Sequence, residues 1–389
     1  MNPDIPLQLL GGITAREFLR DYWQKKPLLI RQAIPDFESP IDADELAGLA
    51  LEEEVESRLV IEHGERPWEL RRGPFAEDTF STLPEREWTL LVQAVDQFVP
   101  EVADLLEQFR FLPSWRIDDV MISFAAPGGS VGPHFDNYDV FLLQAQGKRN
   151  WKIGQMCSSE SPLLQHADLR ILAEFEESAE WVLEPGDMLY LPPRLAHFGI
   201  AEDDCMTYSV GFRAPSAAEV LTHFTDFLSQ YLTDEERYTD ADAQPAGDPH
   251  QIQSDALDRL KSLLAEHMSD ERMLLTWFGQ FMTEPRYPEL VTGPEDLSEE
   301  DVVSSLEDGA VLIRNPSARL AWSEVDDDLL LFASGQSRYL PGKLRELLKL
   351  ICAADALHIE NLSPWLADED GRDLLCELVK QGSLGFADE

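Results

Sequence analysis

Two histidines and one aspartate in this sequence have the types and spacing of a metal site. His134 and Asp136 stand one residue apart at the end of a Gly/Pro-rich approach, Pro127-Gly-Gly-Ser-Val-Gly-Pro133. His197 follows the turn Glu184-Pro-Gly-Asp187 and the apolar run Met188-Leu-Tyr-Leu-Pro-Pro193. If the loop enters a strand at His134, alternation places His134 and Asp136 on one face, about 7 Å apart along it and able to converge on one ion. Two imidazoles and a carboxylate form a facial triad that leaves metal positions open for cosubstrate and oxygen, the donor set of non-haem iron(II) oxygenases. Zinc suits the same three ligands, although no HExxH helix accompanies them. An isolated H-x-D is more often a hydrogen-bonded pair than a metal site, so the glycine-rich approach and the second histidine carry the metal reading.

A 2-oxoglutarate enzyme also needs a cation for the distal carboxylate of its cosubstrate. In Lys148-Arg149-Asn150-Trp151-Lys152-Ile153, alternation puts Arg149 on the face of Trp151 and Ile153, with Lys148, Asn150 and Lys152 opposite. A guanidinium on an apolar face requires an anionic partner, and arginine suits bidentate carboxylate recognition. The partner is either the cosubstrate or a protein carboxylate in a structural salt bridge.

Several elements must position these groups. From about residue 115 to 213, short runs rich in Val, Ile, Phe, Tyr and Trp (RIDDVMISF, DVFLLQ, RNWKI, EWVLEP, DMLYLPP, MTYSVGF) alternate with Gly- and Pro-containing turns, the pattern of an antiparallel sandwich or barrel. Thr14 and Glu17 have capping-box spacing ahead of Phe18, Leu19, Tyr22 and Trp23, which predicts an amphipathic helix. Acidic helices are expected over about 42–58 and 86–108. A helix over about 215–232, a polar linker, and a helical pair over about 254–284 follow, their apolar stripes serving as core or dimer interface. The last hundred residues mix helices and short strands in a small α+β module.

The chain has 389 residues, beyond the roughly 250–300 at which single cores stop growing, so two or three domains are expected. Lys and Arg total 31 against 74 Asp and Glu, a formal net charge of −43. Such a field repels free nucleic acid and anionic membranes and attracts basic proteins, although acidity also serves solubility alone. The four cysteines form no C-x-x-C, which argues against a disulfide framework or thiolate zinc site. With no secretory leader and no long apolar run, a cytoplasmic protein is expected.

The segments FLRDYWQKKPLLIR, WRIDDVMISFAAPGGSVGPHFDNYDVFLLQ, GKRNWKIG, LEPGDMLYLPPRLAHFG and YSVGFRAP resemble the JmjC family, and within it the bacterial ribosomal oxygenases. The resemblance implies an α+β fold: a cupin-like double-stranded β-helix core, a helical dimerisation region and a C-terminal winged-helix-like domain. The implied organisation is a mainly helical segment over 1–90, the JmjC core over 91–214, the dimerisation helices over 215–288 and the winged-helix-like domain over 289–389. It implies iron(II) on His134, Asp136 and His197, 2-oxoglutarate paired with Arg149, O2 as second cosubstrate, and Ser123 and Ser209 lining the cosubstrate and substrate pocket. Many eukaryotic relatives place Lys where this chain has Arg149, so the arginine agrees with the bacterial branch. The implied reaction is hydroxylation of an arginine in a basic large-subunit ribosomal protein by a homodimer. Asp119, in phase with Met121 and Ser123, would anchor the guanidinium or else pair with Arg116. Tyr138, in phase with His134 and Asp136, would pack on the arginine stem or else be core. A histidine or asparagine hydroxylase, a lysine demethylase and a non-catalytic adaptor are the rival readings.

Overall fold

The structure is a computed structural model that describes residues 2–64, 67–165, 169–245, 247–294, 296–354 and 356–387. It separates into two compact units, Met1–Ala214 and Pro215–Glu389.

The first unit begins with helix α1 (Ala15–Asp21), where the Thr14 and Glu17 side chains cap each other's backbone N–H groups as the spacing predicted. Its inward residue, Phe18, is fully buried against the rings of Tyr190 and Phe141, with centroids 5.0 and 5.6 Å away. Strand β1 (Leu28–Ile30), helix α2 (Ala43–Leu49), β2 (Ser57–His63), β3 (Pro67–Arg72), β4 (Trp88–Val92) and the short α3 (Pro100–Ala103) follow. The helices expected over 42–58 and 86–108 are therefore corrected. The first ends at Leu49, and the second is strand β4 followed by short helical turns. Nor is the segment 1–90 mainly helical, since it supplies four strands to the main sheet. Trp88-Thr-Leu-Leu-Val92 pairs with β2 on one side and with Ile122, Ser123, Phe124 and Ala125 on the other. Ladder pairing and burial on both faces outweigh local helical periodicity there.

The remaining strands are β5 (Ile117–Ala125), β6 (Val140–Gln146), β7 (Arg149–Met156), β8 (Ala179–Leu183), β9 (Met188–Leu191), β10 (Leu195–Ala201) and β11 (Cys205–Phe212). An eight-stranded sheet has the order β1-β9-β6-β11-β5-β4-β2-β3, and a three-stranded sheet the order β10-β7-β8. All pairings within both are antiparallel. The sheets face each other, because Arg149 on β7 reaches Ser123 on β5 and Thr207 on β11. Every residue of β11 is buried, which follows from cover on both faces. Met206, Tyr208, Val210 and Phe212 pack into the main core with Phe18, Phe109 and Phe141, while Thr207 and Ser209 line the space between the sheets. Each such aromatic or aliphatic side chain contributes about 1.5–3 kcal/mol by burial, so the outer face anchors a polar inner one.

The second unit contains α4 (Ala217–Ser229), α5 (Ser254–Met268) and α6 (Glu271–Thr283), then α7 (Glu299–Glu307), β12 (Leu312–Arg314), β13 (Leu320–Val325), β14 (Asp328–Ala333), β15 (Gln336–Leu340), α8 (Arg345–Ala353), β16 (Ala356–Leu357), α9 (Ile359–Leu366), α10 (Glu369–Lys380) and β17 (Leu384–Phe386). Leu329 and Leu331 of β14, Leu347 and Leu348 of α8, and Leu374 and Leu375 of α10 share one core. Gly279 lets α6 approach β14, since a Cβ there would lie 2.2 Å from the Phe332 ring. Helix α5 buries none of its residues. Among the described residues no helix is long and apolar enough to cross a membrane.

Candidate metal and cosubstrate site

His134 and His197 meet through a two-residue antiparallel bridge: each backbone N–H donates to the other's carbonyl, at 3.0 and 2.8 Å. This brings their rings to 4.2 Å between centroids. The carboxylate of Asp136 completes the group, with Oδ2 3.9 Å from His134 Nε2 and 3.5 Å from His197 Nε2. One ligand atom from each residue lies within 4.8 Å of the others, the one such His/Cys/Asp/Glu group among the described residues. In both rings Nδ1 sits against a backbone carbonyl, Gly132 at 2.9 Å and Leu195 at 3.0 Å. A carbonyl only accepts, so Nδ1 carries the proton and the Nε2 lone pair is left for a metal. Burial, reinforced by neighbouring His134, pushes the His197 pKa down to about 4, so this imidazole is neutral and ready to ligate at neutral pH.

The expected strand setting of H-x-D is only partly realised. His134 is bridged, but Asp136 and Tyr138 lie in a loop, and β6 starts at Val140. The Asp136 carbonyl is instead taken by the N–H of Arg194, from the turn before β10. This ties the carboxylate to the element that delivers His197, a tertiary contact that alternation cannot reveal. A register shift between Leu195 and His197 then re-aims β10 as it enters the site.

Arg149 is 3% exposed. Its guanidinium donates to Ser123 Oγ at 3.2 Å, the Gly199 carbonyl at 3.4 Å and Thr207 Oγ1 at 3.5 Å, and it lies 5.0 Å from the Trp151 ring centroid. Thr207 in turn donates to Gln144 Oε1 at 3.1 Å, leaving its lone pairs toward Arg149. Gly199 is required at its position, because a Cβ would sit 2.7 Å from Arg149 Nε. Nε is buried without a hydrogen-bond partner, and burial lowers the guanidinium pKa. Among the described residues no carboxylate pairs with Arg149, so the structural salt bridge weighed above is not formed. A desolvated cation held only by neutral acceptors, with one donor unused, fits an anionic cosubstrate.

The triad, Arg149, Ser123 and Ser209 line one cavity with Met121 and Tyr138; Met121, Ser123 and Arg149 do so by strand parity, whereas Asp136 and Tyr138 reach it from a loop. Val140, Leu142 and Trp151 line it too and pack into an apolar cluster between the sheets. Tyr138 is 43% exposed and so is not a core residue. Asp119 is buried and is not among the residues that line the cavity, although its charge acts on Tyr138, which is. Arg116 forms an ion pair with Asp139 at 3.6 Å. Sequence reasoning missed Thr207, Gln144 and Gly199. Thr207 has the parity of Ser209 and was legible on that ground, whereas Gln144 and Gly199 carried no comparable signal.

Residues 104–220 match the family model of the JmjC domain, and residues 266–385 that of the ROXA-like winged helix. The chain is 38% identical over 367 residues to the ribosomal protein uL16 3-hydroxylase of Escherichia coli strain K12, covering 94% of this chain and 96% of that one. An X-ray structure of E. coli YcfD matches with a TM-score of 0.85 at 37% identity, covering 96% of this chain and 98% of that one. The structure of YcfD, a ribosomal oxygenase from E. coli, in complex with cobalt and 2-oxoglutarate matches with a TM-score of 0.84 at 36% identity and the same coverage. The fold is thus a cupin-like core followed by a winged-helix domain, and the enzyme is a metal- and 2-oxoglutarate-dependent oxygenase. The chain belongs to the JmjC-domain bacterial ribosomal oxygenases.

Proposed function

We propose that this enzyme uses iron(II), 2-oxoglutarate and O2 to hydroxylate an arginine side chain of a large-subunit ribosomal protein in the cytoplasm. The observation that carries the arginine reading is Asp119, a buried carboxylate in phase with the cavity-lining Met121 and Ser123. A buried carboxylate there selects a cationic target group. The relative whose name specifies uL16 as its substrate and the net charge of −43 agree with a basic protein substrate, drawn in by long-range attraction.

In this reading His134, Asp136 and His197 hold the metal through two Nε2 atoms and a carboxylate oxygen. Arg149 binds the distal carboxylate of 2-oxoglutarate, with Ser123 and Ser209 lining its berth. Asp119 receives the substrate guanidinium, while Tyr138 and Met121 flank the aliphatic stem. Together, bound iron, 2-oxoglutarate and O2 supply the oxidant that converts C–H to C–OH, releasing succinate and CO2. The chain's own contribution is placement: Asp119 fixes the cationic end, so that one stem carbon faces the metal. The apolar wall of Val140, Leu142 and Trp151 excludes water.

The test is to incubate purified enzyme with iron(II), 2-oxoglutarate and a ribosomal protein mixture, then search by mass spectrometry for one added oxygen. The expected product carries it on an arginine. Oxygen on histidine or asparagine, or loss of a lysine methyl, would overturn the arginine assignment, and no succinate from an iron-loaded sample would overturn the reaction.

The same reading includes a homodimer. Leu257, Leu260 and Leu264 on α5 are 49%, 43% and 51% exposed and recur at i, i+3 and i+7, an apolar stripe fit for a second copy. Leu260→Asp combined with Leu264→Asp should convert a dimer to a monomer in light scattering, with the helical circular dichroism retained. An unchanged mass would remove α5 from the interface.

A further inference from the structure

The apolar wall of the cavity contains one polar atom with nothing to bond. Trp151 of β7 lines the cavity and is 5% exposed. Among the described residues its indole Nε1 is buried without a hydrogen-bond partner. An indole N–H only donates, and a donor kept from both water and an acceptor is destabilising, so its retention calls for a reason. The rest of the ring is accounted for. Trp151 stands opposite Gly199 of β10 on one side and Trp181 of β8 on the other. A Cβ on Gly199 would lie 2.7 and 2.8 Å from Trp151 Cζ3 and Cη2, so the six-membered edge is seated on the glycine. The Arg149 guanidinium carbon lies 5.0 Å from the Trp151 ring, and the His197 ring 6.0 Å from it.

We propose that the Trp151 indole N–H donates to the distal carboxylate of 2-oxoglutarate, which makes Trp151 a cosubstrate-binding residue beside Arg149; this rests on the cosubstrate berth proposed at Arg149. Arg149 Nε is likewise buried without a partner. Two neighbouring side chains therefore bring unused donors to one cavity. A carboxylate has two oxygens and about four lone-pair sites, so a single one can accept from both. The guanidinium is also the nearer of the ring's two polar neighbours, which favours the distal end of the cosubstrate over the end that meets the metal. The indole suits this position because it adds direction without adding charge. A second cation here would have to be desolvated among Val140, Leu142 and Leu189, which pack with Trp151 in the same apolar cluster. Arg149 supplies the attraction, and the N–H fixes how far along the cavity the carboxylate must sit.

Zinc(II) suits the same three ligands and has no redox chemistry, so the isotope-labelled, zinc-loaded enzyme allows binding to be followed by NMR without turnover. The chain has nine tryptophans, and the indole signal missing from Trp151→Phe is that of Trp151; Trp151→Tyr gives the same assignment if the phenylalanine variant does not fold. Saturating 2-oxoglutarate should move this signal downfield and slow its exchange with solvent. Pyruvate, an α-keto acid without the distal carboxylate, should leave it in place. In calorimetric titrations of the zinc-loaded protein, Trp151→Phe should weaken 2-oxoglutarate about tenfold, the value of one hydrogen bond to a charged group, and leave pyruvate unchanged. A signal that 2-oxoglutarate does not move, or that pyruvate moves equally, would overturn the assignment. Equal losses for the two acids would do so as well, since they mark a packing defect. Weaker 2-oxoglutarate binding in Arg149→Met with none in Trp151→Phe removes Trp151 alone, whereas unchanged binding in both removes the berth itself.

Discussion

In an Asp136→Ala variant, hydroxylation should fall to background and metal affinity should drop by more than about 100-fold, since even outer partners of metal ligands cost about 10–100-fold. The remaining pair, His134 and His197, has its rings 4.2 Å apart and keeps both Nδ1 atoms on backbone carbonyls, so the imidazoles stay in place. What disappears is the one anionic donor of the set. Calorimetric titration with cobalt(II) measures the loss directly, apart from turnover, and affinity within about tenfold of wild type would remove Asp136 from the ligand set. Stripping the wild type with a chelator extends the test to metal identity. Iron(II) should restore hydroxylated product in the mass spectrum. Zinc(II) should restore occupancy without product, because zinc has no redox chemistry to offer. Product with zinc alone would overturn the iron assignment.

Arg149→Met should separate cosubstrate binding from metal binding. Removing one member of a buried ion pair costs about 3–5 kcal/mol, a loss of roughly 10²–10³-fold in affinity for 2-oxoglutarate. The three metal ligands are untouched by the change, so cobalt(II) affinity should remain close to that of the wild type. Without cosubstrate the sign of the stability effect reverses. Arg149 is a buried cation whose hydrogen-bond acceptors are two hydroxyls and a carbonyl, with Nε unused. An apolar side chain of similar length relieves that desolvation. The ligand-free variant should therefore denature at a higher midpoint than the wild type, and it should lose the further rise that 2-oxoglutarate gives the wild type. A variant with an unchanged 2-oxoglutarate requirement would remove Arg149 from the cosubstrate site.

Much of the site was legible because strand parity is a local property. Met121 and Ser123 on β5 and Arg149 on β7 face the cavity, as period-two alternation required once those runs were read as strands, and Ser209 on β11, which the resemblance had placed there, faces it too. Parity also separated Arg149 from Lys148 and Lys152, whose amines reach Glu184 and Glu177 on the outside. The capping box at Thr14 was legible for the same reason, as its two hydrogen bonds span three residues. The N-terminal strands were not. Trp88–Val92 carries apolar residues that suit a helix or a buried strand equally, and its choice was made by β2 and β5, whose partner residues lie about thirty positions away on either side.

The sequence by itself therefore determined the inventory of the site: two histidines, an aspartate and one arginine on an apolar strand face, each with a side of the chain to occupy. Only the tertiary structure decided how they meet. The reciprocal backbone bridge of His134 and His197 and the grip of Arg194 on the Asp136 carbonyl bring distant segments to one point. The surroundings of Arg149 were decided there as well, hydroxyls and a carbonyl where a protein carboxylate was the alternative. Hydrogen-bond partners drawn from different strands depend on sheet order and register. The sequence of any single strand contains neither.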